Sequence, residues 1–193
     1  MIKYILHGGY SSVDNELNRA FYEEIARDIR DQGVILLCYF ATKDEDNSSR
    51  FKEDSEMIRQ QSHGKNLNFI VANEDDFIKQ LKEADVLYLR GGNTEKLLDT
   101  LNKFNDLKDF LENKTVAGSS AGAYAIAKYS IFHDEGLIGR VREGLGLLPL
   151  RVICHYESIK FPPNLTSLTL LKATATELDL LVLKDFEWKV IKV

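Results

Sequence analysis

No stretch of the sequence reaches the roughly 18 uninterrupted apolar residues that a membrane-spanning helix needs, so no membrane partner is expected. Positive charge is not in excess. The 25 Lys and Arg stand against 30 Asp and Glu, for a net charge of −5, and the basic residues are scattered. Nothing here draws a phosphate backbone, and nucleic acid is not an expected partner. Cysteine is scarce: Cys38 and Cys154 lie far apart, each inside an apolar run. They read as reduced, buried thiols rather than a disulfide or a metal pair. No two of the four histidines have metal-ligand spacing, so no metal is expected, and no cofactor either. The opening apolar run ends at Gly8-Gly9, too short for a signal peptide and without a cleavage pattern. A cytoplasmic protein is therefore expected. There is no internal repeat, low-complexity segment or linker, so residues 1–193 are expected to form one domain.

What is present is enough apolar material for a buried core, 44% of the chain, arranged as short strand-like runs alternating with amphipathic segments. Residues 2–7 read as a strand. Residues 14–32 read as a helix, with Leu17, Phe21, Ile25 and Ile29 on one face, Asp14 as N-cap and Gly33 as C-cap. The run at 34–40 is apolar throughout, as a central parallel strand covered on both faces would be. Strands are also expected at 66–71, 85–89 and 115–118. Helices are expected from about 49, at 75–82, 94–101 and 107–112, and at 121–128. Repeated strand–helix alternation predicts an α/β fold, a mostly parallel sheet with helices on both faces. The last third changes character: residues 147–155 and 178–193 read as strands with little helix between them.

Three features carry chemistry. Gly118-Ser119-Ser120-Ala121-Gly122 is a G-x-S-x-G pattern between a predicted strand and a predicted helix, the context of a nucleophile elbow. The flanking glycines allow a sharp turn that leaves the Ser120 hydroxyl exposed. The Ala121 N–H then lies at a helix N-terminus, placed to stabilise an oxyanion. Gly91-Gly92-Asn93-Thr94 follows a predicted strand at its C-terminal end, where open α/β sheets bind ligands. Gly92 is a candidate second oxyanion donor. Arg90 and Asn93 are candidate substrate-binding residues, with helix capping the alternative role for Asn93. His155 ends an apolar strand, and a serine at neutral pH needs such a base. His7 ends the first strand beside Gly8-Gly9 and either faces the site or is a core histidine. His63 and His133 lie in polar segments.

Taken together, the segments LYLRGGNTEKLL (from Leu87), VAGSSAGAYAIA (from Val116) and LGLLPLRVICHYE (from Leu145) resemble peptidase E, the aspartyl dipeptidases, and their relative cyanophycinase. The resemblance spans nearly the whole chain. It implies a three-layer, flavodoxin-like fold of the class I glutamine amidotransferase-like superfamily, and a serine exopeptidase acting on a small peptide, as monomer or homodimer. It implies Ser120 as nucleophile, His155 as base, and Gly92 and Ala121 as oxyanion donors. For the acid it offers Asp134 or Glu135 in the loop after the nucleophile helix, or Glu177 before the penultimate strand, with Glu177 preferred over Asp134. Two features depart from the family. Arg90 stands where the family has a first glycine, and the segment after His155 offers only Lys160 where relatives carry an arginine. The alternatives are an esterase or amidase with the same triad, or a non-catalytic binding protein on the same fold.

Overall fold

Residues in the central strands alternate faces with the two-residue period of a pleated chain, and the two faces feed two separate cores. Leu6, Leu36, Cys38, Leu87, Leu89 and Val116 point to one side. Ile5, Ile35, Leu37, Val86, Tyr88 and Ala117 point to the other. All of them are fully buried, and burying a side chain of this size contributes about 1.5–3 kcal/mol. A computed structural model describes residues 1–42, 46–132 and 140–193. Its main sheet is built from β1 (Lys3–His7), β2 (Val34–Cys38), β3 (Asn68–Val71), β4 (Val86–Leu89), β5 (Thr115–Ser119) and β10 (Trp188–Lys192). The order is β10-β1-β5-β4-β2-β3. Every pairing in it is parallel except β10 against β1.

Apart from β10, the strands of the last third form a second sheet rather than extending the first. It holds β6 (Ala127–Ile131), β7 (Val141–Glu143), β8 (Leu148–Tyr156) and β9 (Asp179–Lys184), in the order β7-β6-β8-β9. The pairs β6–β8 and β8–β9 are parallel. Helices cover both faces of the main sheet, as the alternation predicts. On one side lie α1 (Glu16–Arg27) and α2 (Asn47–Gln60), which contribute Phe21, Tyr22, Ile25 and Ile58 to the core. On the other lie α3 (Phe77–Glu83), α4 (Thr94–Leu101) and α5 (Ala121–Ile126), contributing Phe77, Leu81, Leu97, Leu101 and Tyr124. The last helix, α6, runs Leu165–Ala173. No helix among the described residues is long and apolar enough to cross a membrane.

Several boundaries differ from the sequence expectation for local physical reasons. α1 is capped by Asn15, whose side chain accepts from the Asn18 N–H at 2.9 Å. Asp14 pairs with Arg19 instead. Leu17 is half exposed rather than part of the buried stripe. The segment after Leu107 makes only a short 3₁₀ turn, Leu107–Phe110. The helix expected over 121–128 stops at Ile126 and the chain turns directly into β6.

Candidate active site

The C-terminal ends of β1, β4, β5 and β8 bring the candidate residues together. β5 runs straight into α5 through Ser120, which has φ 50 and ψ −106, a left-handed backbone that a non-glycine residue adopts only when its surroundings force it. The two flanking glycines explain the force. A Cβ on Gly118 would run into the Gly122 backbone, and one on Gly122 would overlap the Leu89 carbonyl oxygen of β4. The elbow is thus wedged between neighbouring strands. The Ser120 N–H donates to the His7 carbonyl at 2.9 Å, and Tyr124 N–H closes the first helical turn onto the Ser120 carbonyl at 3.0 Å.

His155 reaches the elbow through a break in β8. The β8–β9 register shifts between Ile153 and Tyr156. His155 sits at φ 57, and its N–H turns away from β9 to donate to the Gly8 carbonyl at 3.0 Å. This bulge re-aims the side chain. Nε2 of His155 lies 2.9 Å from Ser120 Oγ, and Nδ1 lies 2.7 Å from Asp185 Oδ1. The carboxylate beside Nδ1 selects the tautomer with the proton on Nδ1. Nε2 then presents its lone pair to the Ser120 hydroxyl.

The acid partner is the main correction to the sequence reading. Glu177 is exposed and lies in the turn before β9, at the end of that strand remote from His155. Because β8 and β9 run parallel, the residue beside the C-terminal end of β8 must follow β9, not precede it. Asp185, directly after Lys184, does so. Asp134, like Glu135 and His133, lies outside the described residues. The signal for Asp185 was available: Lys184-Asp185-Phe186-Glu187 is a polar turn at the C-terminal end of a strand, where α/β sheets place their ligand-facing groups.

Beneath the elbow, His7 is fully buried and does not face the site. Its Nδ1 accepts from the Gly9 N–H at 3.0 Å and lies 3.3 Å from Ser119 Oγ. Its Nε2 therefore carries the proton and donates to Asn18 Oδ1 at 2.8 Å. Asn18 in turn donates to the Tyr10 and Val13 carbonyls. This fixes the loop that lies against the His155 ring. Burial holds the His7 imidazole down at about 4, and nearby His155 adds to that, against the Asn18 hydrogen bond. A Cβ on Gly9, which has φ 126, would overlap the His155 ring.

Ser120 and His155 open onto a cavity of about 180 Å³ shared with Tyr10, Ser11, Ser12, Arg50, Arg90, Gly91, Gly92 and Ser119. Gly92 stands on its wall beside Ala41, with no room for a side chain. The Ala121 N–H lies in the first turn of α5, next to the elbow. Two expectations for substrate contact do not survive. Arg90 is buried, paired with Asp54 at 2.9 Å and with Glu53, both on α2; two carboxylates already hold its guanidinium. Asn93 is the N-cap of α4 and accepts from the Lys96 N–H at 2.9 Å. Lys160 lines a separate cavity of about 390 Å³ with Asp185, Phe186 and Tyr10. Sequence reasoning missed Tyr10, Ser11 and Ser12, and also Arg50, whose helix reads only as a polar segment.

A strained serine at a strand–helix elbow, bonded through an imidazole to a carboxylate on an α/β sheet, has the arrangement of a serine hydrolase. Residues 11–191 match the model of peptidase family S51, and the chain belongs to that family of serine peptidases. The fold is shared with a peptidase from an acI-B1 Actinobacterium, at 23% identity and a TM-score of 0.71, over 98% of this chain and 83% of that one. It is also shared with a protein of Listeria monocytogenes EGD-e assigned to peptidase E, at 17% identity and a TM-score of 0.66, over 99% and 97%. No protein of curated function matches the sequence.

Proposed function

We propose that this chain is a serine exopeptidase of the dipeptidase E kind, hydrolysing small peptides through Ser120, His155 and Asp185. One observation carries the reading: the unbroken chain Ser120 Oγ to His155 Nε2 at 2.9 Å and His155 Nδ1 to Asp185 at 2.7 Å. His155 takes the Ser120 proton as Oγ attacks the scissile carbonyl. The developing oxyanion is met by the N–H groups of Ala121 and Gly92, and one such donor is typically worth about 10²–10³ in rate. Asp185 holds the tautomer and stabilises the imidazolium. His155 then protonates the leaving amine, and water, activated by the same imidazole, releases the acyl group from Ser120.

Substrate size follows from the space available. The cavity at Ser120 has about 180 Å³ and the one beyond Tyr10 about 390 Å³, sizes that suit a short peptide. The cytoplasm is the compartment we propose, in keeping with two buried free thiols. A panel of di- and tripeptides beside a folded protein substrate tests the reading by amine release. Turnover of the short peptides only, lost by several orders of magnitude in Ser120→Ala, is expected. Equal turnover by Ser120→Ala, or cleavage of the folded protein, would contradict it.

A further inference from the structure

Among the described residues, Arg50 is the one cation on the wall of the Ser120 cavity whose guanidinium is not already held by close carboxylates. It shares that wall with Ser120 and His155. Its single ion pair among the described residues is a long one, Nη2 to Asp46 Oδ2 at 3.5 Å. Its Nε is buried with no hydrogen-bond partner, while the side chain as a whole keeps 29% of its surface exposed. A guanidinium donor without an acceptor is unfavourable inside a protein. A carboxylate, which accepts two parallel N–H bonds from one guanidinium edge, would remove that penalty after a modest shift of the side chain.

The neighbouring arginine explains why Arg50 is kept in place. Arg50, Glu53 and Asp54 lie at positions i, i+3 and i+4 of α2, on one face of the helix. Arg90 pairs with Glu53 and Asp54 and also donates to the Arg50 carbonyl at 3.4 Å. Tyr39 and Tyr22 donate to the same Asp54, at 3.0 and 3.3 Å. This buried network ties the helix turn that carries Arg50 to the strand that ends at Gly91-Gly92. One arginine braces the helix; the other lines the cavity with an unpartnered Nε.

We propose that Arg50 is the specificity residue of this site and binds a carboxylate of the substrate, either an acidic side chain next to the scissile bond or the free C-terminus. The proposal rests on the peptidase reading of the same cavity, and its test is separable from that reading because it measures binding without turnover. In a Ser120→Ala background, calorimetry follows the binding of dipeptides whose first residue is Asp, Glu, Asn or Leu, each as free acid and as C-terminal amide. Arg50→Gln should weaken the carboxylate-dependent part by roughly ten- to a hundredfold. Arg50→Lys, which keeps the charge but not the fork, should fall in between. The peptide whose binding becomes insensitive to Arg50 when its side-chain carboxylate is replaced by an amide, or its terminus capped, identifies which carboxylate is read. Unchanged melting temperatures check that both variants are folded. The proposal is overturned if no carboxylate-bearing peptide binds, if Arg50→Gln binds them as well as its parent, or if it loses the doubly neutral peptides equally.

Discussion

At the scale of single residues, two groups next to the Ser120–His155 pair have opposite tasks. Asp185 is partly exposed beside His155 and fixes its tautomer. His7 is sealed under the elbow and stays neutral to hold the Gly9 loop. Asp185→Asn should lower kcat on the order of 10⁴-fold, with KM and melting temperature little changed, because the amide stabilises the wrong tautomer. Glu177→Gln should leave kcat unchanged in the same peptide assay. The reverse pattern would return the acid to the position favoured from sequence. For His7 the sign follows from its lowered pKa. Above about 6.5 both folded and unfolded chains carry a neutral imidazole. Between about 6.5 and the folded value of about 4, only the unfolded chain takes up the proton. Stability is thus full above that window and falls through it as pH drops, by roughly 3 kcal/mol in all. Urea unfolding from pH 7 to 4 should show a steeper decline for the parent than for His7→Gln; parallel declines would mean that His7 is not the group responsible.

At the scale of elements, the parts of the site that were legible in the sequence are those fixed by local stereochemistry. A strand–helix elbow leaves no room for side chains beside its central serine, so glycines at 118 and 122 mark it in the sequence, and helix 94–101 carries its own cap in Asn93. Both were found in place. What was not legible depends on partners distant in sequence. Residues 127 and 128 have helix-forming neighbours, yet the chain leaves the helix at Ala127. There the Leu145 and Gly146 N–H groups claim the Ala125 and Ala127 carbonyls, and β6 pairs with β8. α6 was overlooked although Asn164 caps it through the Thr166 N–H and Leu165, Leu168 and Leu171 recur at helical spacing. The bulge that turns His155 toward Ser120 leaves no local signal, since its N–H is held by the Gly8 carbonyl just after β1. The loop after β1 makes a further prediction. In Gly9→Ala the new methyl would have to occupy the space of the imidazole, so kcat/KM should fall by at least about 10² as His155 leaves its productive geometry. Activity close to that of the parent would mean that the Gly9 backbone does not set the position of the ring.

At the scale of the molecule, one mostly parallel sheet carries the proposed nucleophile Ser120 and the proposed oxyanion donors Gly92 and Ala121, while a second, smaller sheet carries His155 and Asp185, the proposed base and acid. The seam between them is sewn by backbone bonds at Gly8, which accepts from His155 and donates to Glu187. The acid follows β9 of the small sheet just before the chain returns as β10 to the edge of the large one. The composition pointed to a buried core, and the alternation of strands and helices pointed to the α/β class and the large sheet. The small sheet was hidden because the start of β6 lies in a segment that reads as helix and β7 is only three residues long. All of this converges on one hydroxyl. Ser119, its neighbour, is buried, with its hydroxyl 3.3 Å from His7 Nδ1 rather than beside His155. The most direct test is therefore to treat the protein with a fluorophosphonate and map the adduct by peptide mass spectrometry. One adduct on Ser120, absent in Ser120→Ala and slowed greatly in His155→Ala, is the predicted result. An adduct on Ser119, or labelling that persists without Ser120, would contradict the account.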